Sequence, residues 1–441
     1  MSLYVQDRKN DRPFSTPFAL RAFAWACAAF LAGGVFQDVL RADAGDLDSK
    51  FGTGGRVVTD FGGEEAASDL AIGPRGVIVV AGSTGPSFSR DILLVRYGAG
   101  GGLDTGFGDG GKVITDLGND EIASAIGLQA DGKILVVGQA TVFSDENGFV
   151  SRDLILLRYD SDGALDEGFG TGGVVTAADF ASAASVAVTR NGKIIVGGTA
   201  RNPEQRDFAL RRYDADGSVD ESFGEEGLAI LDLGQGDQLV SLAIQRNGKI
   251  VIAGDFEAED EDTDFVVARF NANGTLDESF GDQGMVTTGF NEFDDTAAVA
   301  IAQNGRIIVA GTSAEFDGPD QAIFFRYNPD GSRDGSFGAG GVAGGFIGGD
   351  VGQHESVFDM ALEKDGKIVV TGSILRGEED EEFQPLVARL KRNGDLDPRF
   401  GEGGLAITDF SPLAVAIQGN RRIIVAGTTG EDIVLAGYRA R

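Results

Sequence analysis

The sequence predicts an all-β chain, a seven-bladed β-propeller of four-stranded blades, and three observations predict it. The motif Asp-x-x-Phe-Gly recurs seven times, placing Phe at 51, 107, 169, 223, 280, 337 and 400. In phase with it comes a turn followed by an apolar run, as in Asp131-Gly132-Lys133-Ile134-Leu135-Val136-Val137-Gly138 and Asn304-Gly305-Arg306-Ile307-Ile308-Val309-Ala310-Gly311. A further apolar run ends in Arg-Tyr or its like, with Arg at 96, 158, 212, 269, 326 and 389. Successive Phe positions lie 54 to 63 residues apart, so seven copies account for everything after residue 44. Gly-flanked β-branched runs and Asp-Gly turns are hairpin chemistry, and no helical periodicity competes with them. Four strands in a repeat of this length make a propeller blade.

Residues 1–44 are read as an export leader. Arg8, Lys9, Arg12 and Arg21 precede an apolar run over 22–36, and Ala42-Asp43-Ala44 supplies a small-residue cleavage site. That run falls short of the roughly 20 residues that span a bilayer. The only Cys (Cys27) and the only Trp (Trp25) lie in it, so the exported chain would depend on packing without disulfides.

Within each repeat of 45–441, a small-residue strand comes first, as in Leu70-Ala71-Ile72 and Val186-Ala187-Val188. Its middle residue is Ala in six copies and Gly127 in the other, which suits the crowded axis of a ring. A second strand follows the Asp-Gly or Asn-Gly turn (193–196), a third runs to the Arg-Tyr (208–213), and a fourth follows Phe-Gly-x-x-Gly (112–115). The chain opens on a strand of the fourth type at 56–60 and ends on one of the third type at 432–438. One blade is therefore expected to be composite, with 413–438 giving three strands and the N-terminal strand 56–60 closing it. Arg and the motif Asp stand eight residues apart in six copies, while the seventh has Gly437 in place of the Arg. A pair repeated this way reads as a structural ion pair, and the Phe as a wedge between blades.

Taken together, L-D-x-x-F-G-x-x-G, D-G-K-I-x-V-x-G and R-Y-x-x-D-G resemble the delta-60 repeat family of bacterial propeller-like proteins over about 45–441. The resemblance implies a β-propeller, often exported, and brings no activity or catalytic residue with it.

Composition narrows the function. Lys and Arg number 37 against 69 Asp and Glu, a net charge of −32, which excludes the basic footprint of a nucleic-acid binder. No membrane span is expected once the leader is gone. A single His, His354, leaves no set of zinc ligands, and no nucleophile elbow or phosphate loop is present. Asp160, Asp162 and Asp166 resemble a calcium loop in miniature but fall short of its oxygen count. No cofactor is expected, with Ca²⁺ the one candidate ion. The chain after the leader has no Trp, which disfavours sugar recognition.

What remains is an acidic set of connectors in repeats four to six. Asp255, Phe256, Glu259, Asp260, Asp262 and Asp264 crowd one segment, Glu292, Asp294 and Asp295 follow, then Glu315, Phe316 and Asp317, then Glu379, Glu381 and Phe383. The binding candidates are Asp255, Phe256, Glu259, Asp260, Asp262, Asp264, Asp294, Asp317, Glu379 and Glu381. Their expected partner is a protein with a basic segment. A non-enzymatic exported interaction scaffold ranks first on this reading. Behind it come a carboxylate-based hydrolase or lyase at the propeller mouth and a calcium-stabilised surface protein. Mass spectrometry of exported material is expected to find Gly45 as the first residue; full-length chain recovered from the cytoplasm contradicts that.

Overall fold

A computed structural model describes residues 47–144, 148–201, 206–257, 262–315, 318–345, 354–376, 382–419 and 422–441. The leader at 1–44 therefore lies outside the described residues. Among them the only helix is a single 3₁₀ turn, Pro74–Gly76, and none is long and apolar enough to cross a membrane.

Six four-stranded antiparallel units follow one another over 65–115, 120–177, 180–231, 235–288, 293–344 and 354–407. The fourth and fifth are joined by one parallel pair, Thr263 with Phe293. A further unit is composite: Ser411–Gln418, Arg422–Thr429 and Asp432–Arg439 are completed by Arg56–Thr59, which pairs antiparallel with the last strand from Arg56↔Ala436 to Thr59↔Ile433. The first strands of successive units pack on one another in chain order, and the first strand of the composite unit packs on that of 65–72. No hydrogen-bonded ladder crosses most of these seams; side chains join the units together with single backbone bonds, such as Gly224 N–H to the Asn273 carbonyl at 2.8 Å.

Inner strands start earlier than their small-residue centres suggest. The first runs over Glu65–Ile72, and a register shift between Ala67 and Asp69 bends it. All seven inner strands shift register at this place. Close approach of backbones explains the Gly opposite: a Cβ on Gly82 would stand 1.9 Å from the Ala66 carbonyl oxygen.

The seven motif Phe rings are fully buried. Each of six carries the Arg of its own repeat over its face, 4.3–4.7 Å from centroid to guanidinium carbon. That Arg donates through Nε to the Asp eight residues on, at 2.7 Å for Arg158–Asp166 and Arg326–Asp334. Its Nη1 donates to a backbone carbonyl of the next unit, as in Arg389 to Ala440 at 2.8 Å. A Lys from the strand-two turn reaches the same carboxylate, as Lys249 does Asp277 at 2.5 Å. The next unit closes over the ring with a Gly turn. A Cβ on Gly274 (φ +89°) would stand 2.6 Å from the Gly224 nitrogen and 3.0 Å from the Phe223 ring.

In the copy that lacks the Arg, a neighbour replaces it. Arg422, at the position where four other repeats carry Lys and one carries Arg306, donates to Asp48 at 2.8 Å and lies 5.3 Å from the Phe51 ring. Gly437 leaves the room this needs, since a Cβ there would meet Phe51 at 2.7 Å. Buried hydroxyl pairs stitch further seams: Thr59 with Tyr97 at 2.7 Å and Thr115 with Tyr159 at 2.8 Å.

Deleting 45–60 removes Asp48, Phe51 and the strand Arg56–Thr59 together. The thermal midpoint is expected to drop by more than roughly 10 °C in calorimetry, several kcal/mol for a domain of this size. An unchanged midpoint contradicts the clasp.

Candidate binding face

Several third strands carry two kinds of charge, as Asp207 and Arg212 in Arg206–Tyr213. The Arg end belongs to the clasp just described, and the start lies at the opposite end of the sheet. At that end of the fourth and fifth units, Asp262, Asp264, Phe290, Asn291, Glu292 and Glu315 surround a cavity of about 830 Å³, whose wall Gly289 and Gly318 complete. Four of these side chains are carboxylic acids, and no base lines the cavity among the described residues.

Local structure explains the shape. Asp294 is buried and its Oδ2 accepts from the Phe290 nitrogen at 2.8 Å, which fixes the turn between Met285–Thr288 and Phe293–Ile301. Asn291 donates to the Ser313 hydroxyl at 2.9 Å, and Thr263 donates its backbone N–H to the Glu292 carbonyl at 3.0 Å. Phe290 stays 40 % exposed while its ring tilts against Phe325 at 5.2 Å, so a half-open aromatic surface faces the acids. At the repeat position of Gly289 four other copies carry an acid, Asp60, Asp116, Asp232 and Asp409, whereas a Cβ on Gly289 would stand 2.2 Å from Asp264 Oδ1. The absence of a side chain at Gly289 leaves room for the Asp264 carboxylate in its present position.

The sequence candidates separate into four groups. Asp262 and Asp264 line the cavity. Asp255 and Asp294 do not belong to the exposed face, because both are buried in strands. Asp255 Oδ1 accepts from Thr296 N at 2.7 Å, and its carboxyl shares a hydrogen bond with Asp295. Burial pushes both carboxyls of that pair up. Phe256 is half-buried against the core of its unit, as a loop anchor. Glu259, Asp260, Asp317, Glu379 and Glu381 lie outside the described residues. The sequence candidates omit Phe290 and Asn291; the available signal was Gly289 at a position where four other repeats carry Asp60, Asp116, Asp232 and Asp409.

The miniature calcium loop is already matched by bases. Lys133 Nζ stands 3.0 Å from Asp160 and 2.5 Å from Asp166, and Arg158 Nη2 stands 2.6 Å from Asp166. His354 pairs with Asp320 at 3.2 Å.

Two further acids sit on inner strands. Asp69 accepts from Ile126 N at 2.9 Å and Asp359 from Val415 N at 2.7 Å, each bridging to the next unit. Burial pushes Asp69 up to about 6; burial and the charge of Asp69 push Asp359 up to about 7. Burial likewise raises Asp237 to about 7, and Asp294 and Asp295 to about 6. The clasp acids behave oppositely. Burial raises Asp397, but Lys367, the Arg399 nitrogen and the Arg389 charge outweigh it and hold it at about 2. Asp220 and Asp277 lie below the usual range, as hydrogen bonds from Lys193 and Lys249 outweigh burial.

A raised carboxyl holds its proton more tightly in the fold than in the unfolded chain, where it titrates near 3.8. Its contribution is complete below about pH 4 and lost as pH rises through 6 and 7. The clasp acids contribute fully above about pH 4 and fail as pH falls toward 2. In chelated buffer the thermal midpoint is therefore expected to peak near pH 4–5 and fall by several degrees by pH 8. A midpoint flat from pH 5 to 8 contradicts it.

Comparison with known proteins agrees with this architecture. The family described as "Domain of unknown function (DUF5122) beta-propeller" matches residues 129–169, 189–223, 245–280, 302–337 and 363–400. The match supports a β-propeller repeat family and does not extend to the delta-60 name. No curated protein matches the sequence. Similar solved structures include a polysaccharide lyase of family PL25, an ulvan lyase, at 13 % identity and TM-score 0.47, covering 86 % of this chain and 95 % of that one. A protein of unknown function from Dyadobacter fermentans is 12 % identical at TM-score 0.46, covering 88 % and 98 %. Sqt1 of Chaetomium thermophilum, bound to the N-terminus of ribosomal protein L10, is 12 % identical at TM-score 0.44, covering 87 % and 98 %. At such identities and scores these neighbours say nothing of what this chain binds or does. Its antiparallel four-stranded units and the five matched segments make the chain a β-propeller repeat protein.

Proposed function

We propose that the chain is an exported interaction scaffold without catalysis of its own: a seven-bladed ring, closed by the composite unit, that holds a basic segment of a partner protein on its acidic face. The cavity of about 830 Å³ carries this reading, because Asp262, Asp264, Glu292 and Glu315 surround it with no base among its lining residues. A Lys- or Arg-rich segment fits that charge, and the exposed part of Phe290 offers an apolar anchor inside a charged rim. The net charge of −32 adds long-range attraction for a basic partner, which speeds encounter and is screened within about 8 Å at physiological salt. The leader at 1–44 supports export, and the cyclic packing of inner strands supports the ring.

The test is a titration with a Lys/Arg-rich peptide. Asp262→Asn, Glu292→Gln and Glu315→Gln together are expected to weaken its binding at least about tenfold at low salt, roughly 1.4 kcal/mol, without moving the thermal midpoint. Binding by the unaltered protein is expected to fade as salt rises. A peptide that fails to bind, or binds equally to the triple variant, overturns the reading.

A further inference from the structure

Three seams carry a cluster with a different geometry from the cavity. Asp60 with Glu65 and Asp432, Asp91 with Asp116 and Glu121, and Asp207 with Asp232 and Asp237 each bring three carboxylate oxygens within 4.8 Å of one another. They occupy equivalent repeat positions: the start of a third strand, the residue after a fourth strand, and the start of the next inner strand. Acid clusters alone are common on acidic surfaces. In the third, two of the three acids are buried.

Asp207 and Asp237 are buried, with Asp237 fully so, and Asp232 is exposed at the mouth. Asp237 Oδ2 accepts from Leu233 N at 2.9 Å, but Oδ1 is buried without any hydrogen-bond partner. A buried carboxylate oxygen left so is costly unless something positive meets it. Asp207 and Asp232 act on Asp237 as like charges, a repulsion that a cation among the three carboxylates relieves. A spread of at most 4.8 Å between oxygens is about twice a calcium–oxygen bond of roughly 2.4 Å, so one ion can touch all three. Two buried acids behind one exposed acid also provide an entry path from solvent.

We propose that Asp207, Asp232 and Asp237 hold a calcium ion between the third and fourth units, stapling that seam on the same end of the sheets as the acidic cavity. Carboxylates and water supply the all-oxygen shell that calcium prefers, and Mg²⁺, which demands tighter octahedral geometry, is the weaker ligand here.

The experiment uses the exported chain stripped with chelator at neutral pH, titrated with Ca²⁺ alone and followed by calorimetric titration and thermal melting. Calcium is expected to bind saturably and raise the midpoint by several degrees, with Mg²⁺ doing less. Asp237→Asn replaces a buried charge by a neutral group of the same shape. It is expected to melt at or above the unaltered protein in chelator, yet to bind one calcium fewer. Asp232→Asn, an exposed change that leaves folding intact, is expected to weaken that site at least tenfold. Absence of any calcium-dependent shift overturns the proposal, as does an unchanged stoichiometry and affinity in both variants.

Discussion

One contact recurs where units meet: a guanidinium, buried in five copies and part-buried at Arg96 and Arg422, laid on a buried Phe ring, its charge matched by an Asp and its far nitrogen given to the neighbour's backbone. Because most seams lack a backbone ladder, this contact and the apolar packing beneath it decide whether the units stay together. Removing one partner of a buried ion pair costs about 3–5 kcal/mol, since the other charge is left uncompensated. The cation–ring contact adds up to about 2 kcal/mol where water is excluded. The seventh copy shows how strongly the arrangement is required. Without its own Arg, it recruits Arg422 from the adjacent strand and keeps Asp48 and Phe51 in place.

Much of this architecture was legible because it repeats. Phe and Gly at fixed spacing fix the turn, and alternating apolar runs between turns fix the strands. Arg422 was not legible, since position 422 reads as an ordinary turn base until Gly437 is seen to vacate the space beside Phe51. Nor was the burial of Asp255. The acid-rich stretch after Gly254 looks like a loop, but Ile250–Glu257 continues as a strand through it, and alternation turns Asp255 toward Thr296. Counting acids along the chain cannot separate a strand's inward residue from a loop's outward one. The cavity itself depends on residues from three connections meeting, of which the sequence showed the charge but not the convergence.

The protein's excess of acid is therefore divided by location. A third strand places Asp at its start and Arg five residues later, as Asp207 and Arg212, so the two ends stand about 17 Å apart at 3.3 Å per residue. At one end bases meet every clasp acid described here; at the other, some acids pair with bases, as Asp120 does with Arg90, while three clusters and the cavity bring acids beside acids. Polarity of this kind gives the molecule one end built for cohesion and another with charge to spend on a visitor.

The composite unit has a consequence for the order of events during synthesis. Val57 pairs with Leu435, and Asp48 meets Arg422 across 374 residues of chain. A ribosome releasing the N-terminus first leaves that opening strand waiting, its hydrogen-bonding edge unsatisfied, until the final residues arrive. Closing so long a loop is cheap in entropy, because each doubling of length costs only about 0.6 kcal/mol. What the wait costs is time, during which an unpaired edge is open to wrong pairings. Locking is thus the last act, and a chain that cannot lock early remains threadable for as long as its end is still to come.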